Sequence, residues 1–101
     1  MVVVVIVESP RASDPLELSF PGGELISIGR DSRSLVQLPD PSVSLLHARL
    51  VPGSHGYALI DENSTNGTFL NGSRVAPGAS RPLGDGDRIQ LGRAQLRVRF
   101  Q

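Results

Sequence analysis

Short runs of apolar and β-branched residues recur along this chain, and turn residues rich in glycine and proline separate them. Apolar residues never keep a helical spacing for three turns without meeting a glycine or a proline, so the pattern argues against helices. Turn signals return about every 8–12 residues, which is typical of an antiparallel β-sandwich. The runs predict strands at residues 2–7, 16–20, 25–28, 35–38, 48–51, 57–61, 68–70, 74–75, 88–91 and 96–100.

Residues 94–100 alternate apolar and polar side chains, and residues 16–20 do the same. Such strands pack one face on a core and leave the other in water. A length of 101 residues allows one domain with one core. We therefore expect residues 1–101 to form a single domain, cut from a longer protein because the chain begins and ends in predicted strands.

The charge of the chain disfavours nucleic acid as a partner. Ten basic and ten acidic residues give a formal net charge of zero, and no run of like charges occurs. Duplex binding needs a basic face that releases counterions. A neutral domain binds an anion only by focusing donors at one point, and here every basic residue is an arginine.

The apolar run at residues 2–7 could suggest a signal peptide, but it lacks a basic start and stops at Glu8. It is also too short to span a bilayer. We interpret it as a buried strand, and we expect a cytoplasmic protein that does not insert into membranes. With no cysteine in the chain, disulfides, thiolate nucleophiles and zinc–thiolate sites are excluded.

Three loop segments carry more polar residues and glycine than a turn alone requires. They are Gly29-Arg30-Asp31, the Ser-Leu-Leu-His segment at 44–47, and the segment at 63–72, which reads Asn-Ser-Thr-Asn-Gly-Thr-Phe-Leu-Asn-Gly. Each lies at the end of a predicted strand. Because loops at one end of a sandwich gather together, we expect these segments to form one site.

Taken in order, these segments resemble the pattern of the forkhead-associated (FHA) domain family. Gly-Arg is followed by Ser-x-x-His, then by Ser-Thr-Asn-Gly-Thr-Phe-Leu-Asn-Gly, then by Leu-x-Asp-Gly-Asp-x-Ile-x-Leu-Gly, and the likeness runs from about residue 25 to residue 92. The resemblance implies an all-β sandwich of about eleven strands whose loops bind phosphothreonine peptides. It implies no catalysis, no cofactor and no metal.

The resemblance assigns the phosphothreonine site to Arg30, Ser44, Thr65 and Asn66. A guanidinium gives planar, charge-assisted hydrogen bonds to a phosphate, and the hydroxyls of Ser44 and Thr65 add neutral donors. The backbone N–H of Ser44 is a further candidate donor. The Asn66 amide both donates and accepts, as a peptide backbone requires. Read without the resemblance, these are a surface arginine, loop residues and a type I′ turn at Asn66-Gly67.

Support for the site is assigned to Gly29, His47 and Gly67. Gly29 would let the backbone turn sharply beside Arg30, and Gly67 would shape the turn that presents Asn66. The resemblance makes His47 structural, orienting the loop through bonds to the backbone, rather than catalytic.

Arg33 and Leu45 are candidate determinants of peptide specificity. Many relatives carry a polar residue where this chain has Leu45, so one phosphate contact is missing or Leu45 faces the peptide. Arg33 could compensate, read an acidic peptide residue, or be a solvated surface arginine. Leu45 also supports an alternative function, a scaffold that binds partners without phosphate.

An enzymatic function has less support than a binding function. A hydrolase needs a nucleophile beside a base or paired carboxylates, and the only other histidine, His55, lies at a predicted hairpin tip. Asp85-Gly86-Asp87 lacks the spaced oxygens of a calcium loop and is interpreted as a tight turn. The sequence leaves the oligomeric state open.

Overall fold

The computed structural model describes residues 1–8 and 15–101. Within them the chain forms eleven strands and no helix. The strands are β1 (Val2–Glu8), β2 (Leu16–Pro21), β3 (Ile26–Gly29), β4 (Val36–Gln37), β5 (Ala48–Gly53), β6 (Gly56–Asp61), β7 (Thr68–Leu70), β8 (Ser73–Arg74), β9 (Ser80–Pro82), β10 (Arg88–Leu91) and β11 (Ala94–Phe100).

The strands form two sheets, as the sequence predicts for a sandwich. One sheet has the order β2-β1-β11-β10-β7-β8 and the other the order β4-β3-β5-β6-β9. The paired strands are antiparallel with one exception, since β3 and β4 run parallel through Ile28 opposite Val36 and Gly29 opposite Gln37. This parallel pair is the one departure from the expected antiparallel pattern, and residues 30–35 connect its two strands as a wide return loop instead of a tight hairpin.

The sequence missed β9, and it placed β8 one residue late. Ser80–Pro82 holds a proline and shows no alternation, and it forms the edge of its sheet, where a missing N–H is tolerated. Val75, expected in β8, lies just beyond it with a buried side chain and donates its N–H to the carbonyl of Thr68.

The core lies between the sheets and contains mainly Val, Leu and Ile. Val3, Val5 and Val7 of β1 are buried in it, so the strand interpretation of the N-terminal apolar run is confirmed. Tyr57 is the aromatic residue of the buried core, and its ring stacks on that of Phe100 at 5.9 Å between centroids. No helix in the described residues is long and apolar enough to cross a membrane.

Strand register places the loops of interest at one end of the sandwich. In the five-stranded sheet, Ala48 at the start of β5 pairs with Ile28 near the end of β3 and with Asp61 at the end of β6. In the other sheet, Thr68 at the start of β7 pairs with Leu91 at the end of β10. The loops that follow β3, β6 and β10 therefore meet the loop that precedes β5.

Candidate functional site

Two backbone hydrogen bonds join the loop after β3 to the loop before β5. The N–H of Arg30 donates to the carbonyl of Ser44 at 3.0 Å, and the N–H of Asp31 donates to that of Leu45 at 3.2 Å. Gly29 makes this approach possible, because a Cβ there would overlap the carbonyl oxygen of Leu45. Its φ is not positive, so Gly29 serves by lacking a side chain rather than by adopting a left-handed backbone conformation.

The side chain of Arg30 is held by one of its nitrogens. Its Nε donates to the backbone carbonyl of Val43 at 2.9 Å. Among the described residues, neither terminal nitrogen of this guanidinium has a hydrogen-bond acceptor, and the residue is exposed. The two terminal NH₂ groups are thus available to an anion next to Ser44.

Ser44 and Thr65 meet across the site. The N–H of Thr65 donates to Oγ of Ser44 at 3.0 Å, so the Ser44 hydroxyl keeps its own proton for a further acceptor. The N–H of Ser44 donates to Nδ1 of His47 at 3.1 Å. The prediction that this N–H is a phosphate donor is therefore wrong, because the buried imidazole already occupies it.

Asn66 is exposed at the edge of the site, and its Nδ2 donates to the carbonyl of Ser42 at 2.8 Å. Its Oδ1 remains as an acceptor. Gly67 has a φ of 85°, but Asn66 does not have a positive φ, so the type I′ alternative is wrong for this pair. That geometry occurs instead at Asn71 and Gly72, whose φ values of 49° and 86° fit the hairpin between β7 and β8.

His47 is fully buried and uses both ring nitrogens. Nδ1 accepts from Ser44, and Nε2 lies 2.9 Å from the carbonyl oxygen of Gly67, to which it donates. This pattern requires the neutral ring protonated at Nε2. Burial lowers the pKa of His47, against smaller opposing effects of the Gly67 hydrogen bond and the charge of Asp61. The ring joins the Ser44 loop to the Gly67 loop.

Asp40, which the sequence analysis missed, is a second buried polar residue, and it is hydrogen-bonded to Ser42. Asp40 is 2% exposed and accepts from the N–H of Ser42 at 2.8 Å, from its Oγ at 2.7 Å and from Nη2 of Arg93 at 3.1 Å. The N–H of Arg93 in turn donates to Oγ of Ser42 at 2.8 Å. The Ser42 hydroxyl, the Ser42 N–H and Arg93 lower the pKa of Asp40 to about 2. This group fixes the carbonyl that holds Asn66.

Asp61 organises the loop that carries Thr65. It is 2% exposed and accepts from the hydroxyls of Ser64 and Thr68, both at 2.6 Å. Burial raises the pKa of Asp61, but the hydrogen bonds from Ser64 and Thr68 outweigh it and leave that pKa below its usual value. Ser64 therefore supports the loop that carries Thr65.

Arg33 and Leu45 lie beside the site in different settings. Nη2 of Arg33 forms a 2.7 Å ion pair with Oδ2 of Asp31, and the hydrogen bond from the Arg33 side chain is the main cause that lowers the pKa of Asp31 to about 2. The Arg33 side chain is 89% exposed. Leu45 is 55% exposed and follows Ser44 directly.

The Asp85-Gly86-Asp87 segment is the tight turn that the sequence predicts. The N–H of Gly84 donates to Oδ2 of Asp87 at 2.7 Å, and Gly86 has a φ of 84°. In residues 1–8 and 15–101, no group of three or more His, Cys, Asp or Glu residues could hold a metal ion.

The chain is similar to known proteins in both sequence and fold. A family model described as FHA domain matches residues 26–92. An FHA domain-containing protein of Arabidopsis thaliana is 37% identical over 90 residues, which cover 88% of this chain and 23% of that protein. This chain spans 10% to 23% of the length of three curated relatives that it matches.

Two solved structures are similar in both sequence and fold. One comes from a structural and functional analysis of phosphothreonine-dependent FHA domain interactions, and it has 32% identity and a TM-score of 0.78 over 97% of both chains. The FHA domain of an Arabidopsis thaliana hypothetical protein has 33% identity and a TM-score of 0.83, covering 98% of this chain and 84% of that one.

Proposed function

This chain belongs to the FHA domain family, and on that premise we propose that it binds phosphothreonine-containing segments of partner proteins. The observation that carries the proposal is the junction of Arg30, Ser44 and Thr65. Arg30 and Ser44 are bonded through their backbones, and Thr65 is bonded to Oγ of Ser44. A cation and two hydroxyl-bearing residues from three loops therefore surround one point.

The chemistry of that point suits a phosphate. A phosphothreonine carries nearly two negative charges near neutral pH and offers three acceptor oxygens. The terminal nitrogens of Arg30 can supply a two-pronged contact, and the Ser44 and Thr65 hydroxyls can add donors from the other side. A hydrogen bond to a charged group contributes about 1.5–3 kcal/mol, so a few of them give useful affinity.

Asn66 suits the peptide rather than the phosphate. Its Nδ2 is bonded to Ser42, which leaves Oδ1 to accept an N–H from an extended ligand backbone. Asp40 and Arg93 brace Ser42 through the bonds described above, so the amide is oriented before a ligand arrives. We assign recognition of the peptide main chain to this residue.

We propose binding without catalysis. Both nitrogens of His47 are engaged by Ser44 and Gly67, so the histidine nearest the site has no lone pair or proton to offer a substrate. Recognition of a phosphorylated partner also requires a protein kinase and ATP in the same compartment, which supports the proposed cytoplasmic location.

The proposal is tested by calorimetry with a degenerate library of phosphothreonine peptides and its unphosphorylated counterpart. We expect binding of the phosphorylated library alone, with weaker binding of a phosphoserine version because a lost methyl group costs about 1–3 kcal/mol. Arg30→Ala and Ser44→Ala should abolish binding while circular dichroism shows an intact fold. Arg99→Ala, on an exposed strand position, is the control and should bind normally.

Two results would reject the proposal. Equal affinity of Arg30→Ala and the native domain would remove the assigned phosphate contact. Equal binding of phosphorylated and unphosphorylated libraries would instead favour a phosphate-independent scaffold.

A further inference from the structure

Four of the ten arginines share the outer face of the six-stranded sheet, namely Arg74, Arg88, Arg97 and Arg99. On β11 the alternate residues are buried in the core, so Arg97 and Arg99 face away from it. Arg97 lies opposite Arg88 of β10, and Arg74 of β8 reaches the same face through its pairing with Phe69 of β7. We call these four residues the arginine face.

Neighbouring acids do not balance the charge of the arginine face. Among residues 1–8 and 15–101, none of its four arginines forms an ion pair. Glu8 and Glu17 share the outer face of this sheet, but they lie on β1 and β2. Asp85 and Asp87, in the turn before β10, accept hydrogen bonds from backbone N–H groups. A chain with zero net charge therefore presents one positively charged sheet surface.

The pairing of Arg88 with Arg97 is unfavourable for the isolated domain. The two residues lie directly opposite each other on adjacent strands, and like charges in that relation destabilise a sheet. In the part of the chain that the structure describes, Nε of Arg97 is buried and has no hydrogen-bond acceptor. Arrangements that break a local rule of stability are typical of functional sites. This pair therefore indicates a surface that an anionic partner covers.

The surroundings of the arginine face favour a protein as that partner. A pocket of about 410 Å³ lies beside Arg88, and its walls include Phe69, Gln90 and Gln95. Glutamine amides both donate and accept, as a peptide backbone requires. Single-stranded nucleic acid stacks on several aromatic side chains, whereas the aromatic residues of this chain other than Phe69 pack on the core. An extended anionic surface, such as a duplex or a membrane, would also meet the two glutamates of this face.

We propose that the arginine face binds an acidic segment of a partner protein, rich in aspartate and glutamate. Guanidinium groups form planar, charge-assisted hydrogen bonds with carboxylates, and unpaired charge on a surface also speeds encounter with an oppositely charged partner. The phosphothreonine site lies among the loops at one end of the sandwich, whereas the arginine face is the surface of a sheet. The two sites are therefore separate, and the inference does not rest on the proposed function.

The test is fluorescence anisotropy with a labelled peptide of alternating glutamate and alanine, and with the same peptide carrying glutamine in place of glutamate. We expect the domain to bind the acidic peptide alone. Arg88→Gln and Arg97→Gln should each weaken this binding about fivefold, which corresponds to the loss of one surface charge pair. Arg49→Gln, which removes the same charge from the other sheet, is the matched control and should bind within about twofold of the native domain.

Urea denaturation gives a second readout that a purely structural role of Arg88 would move in the opposite direction. Removing one of two facing like charges should raise the urea midpoint of Arg88→Gln above that of the native domain at about 10 mM salt. The difference should shrink at about 1 M salt, because the shorter Debye length screens the repulsion. A lower midpoint at low salt would mean that Arg88 stabilises the fold, which overturns the inference.

Three further outcomes overturn it. The first is equal binding of the acidic and neutral peptides, or native-like affinity in both arginine variants. The second is tighter arginine-dependent binding of a uridine oligonucleotide or of phosphatidylserine vesicles than of the acidic peptide. The third is loss of acidic-peptide binding in Arg30→Ala, which would place that peptide in the phosphothreonine site. Phosphothreonine peptides should bind normally to Arg88→Gln and Arg97→Gln, so failure of this inference leaves the proposed function standing.

Discussion

The backbone N–H of Ser44 donates to Nδ1 of His47, three residues later, at 3.1 Å. Through its other nitrogen the same imidazole holds the carbonyl of Gly67. One buried ring therefore fixes the spacing between the loop that carries Ser44 and the loop that carries Thr65 and Asn66. The geometry of the site depends on this ring, although the ring lies beneath it.

Replacing His47 by alanine should weaken the fold as well as the site. The change leaves the N–H of Ser44 and the carbonyl of Gly67 without partners and opens a cavity at a residue with 0% exposure. We expect the free energy of unfolding to fall by about 2–4 kcal/mol. Urea denaturation measures this, with His55→Ala at the exposed hairpin tip as a control that should change by less than about 0.5 kcal/mol. An unchanged midpoint in His47→Ala would contradict the assignment.

Stability should also depend on pH through His47. Burial lowers the pKa of this ring below 6.5, while in the unfolded chain the ring takes up a proton near that value. The unfolded state then binds more protons below pH 6.5, so stability is complete above it and declines as the pH falls. Urea midpoints between about pH 8 and pH 5 measure the slope. His55→Ala should retain it, and an NMR titration in which the His47 ring protonates at or above its ordinary pKa would refute it.

Asp40 should govern stability in a more acidic range. Its hydrogen bonds from Ser42 and Arg93 lower its pKa from 3.8 to about 2, so its contribution is complete above about pH 4 and is lost as the pH falls toward 2. Asp40→Asn should unfold at lower urea concentration at pH 7 and show a shallower loss of stability through that acid range. It should also bind phosphopeptides more weakly, because Ser42 no longer braces Asn66. Glu24→Gln, at an exposed position, should match the native domain, and an identical acid limb in Asp40→Asn would exclude the assignment.

Gly29→Ala should separate the two loops that form the anion site. The added Cβ would meet the carbonyl of Leu45, and relieving that overlap must lengthen the neighbouring Arg30–Ser44 bond. We expect a loss of about 1–3 kcal/mol in unfolding free energy and loss of phosphopeptide binding in calorimetry. Gly84→Ala is the control, since an added Cβ there has no neighbour closer than 3.8 Å. Native-like binding by Gly29→Ala would show that the close approach is dispensable.

The sequence predicted those elements whose causes are local. Alternation and turn residues located ten of the eleven strands. The sequence missed β9 because its three residues, which end at Pro82, neither alternate nor form an apolar run. The ordered motifs also indicated which loops meet, because strand ends in a sandwich share one edge. The alternative of a type I′ turn at Asn66-Gly67 was wrong because an Asn-Gly pair indicates a hairpin only when two strands flank it closely.

Contacts between distant parts of the chain could not be predicted from the sequence. The bond between Asp40 and Arg93 joins residues 53 positions apart, and nothing in either local sequence marks the other. The aspartate between two prolines reads as a turn, although an Asp followed two residues later by Ser is a known local hydrogen-bonding pattern. The partner of the Ser44 N–H could not be foreseen for the same reason, since it depends on how deeply His47 is buried.

The bond between Nε of Arg30 and Val43 has a consequence for the thermodynamics of ligand capture. A fully flexible arginine gives up about 2 kcal/mol of rotational freedom when a ligand immobilises it. In this domain much of that freedom is already surrendered when the chain folds, so an arriving phosphate meets a guanidinium fixed in advance. Affinity is then gained without a larger interface. This suits a complex that must form quickly and dissociate once the phosphate is removed.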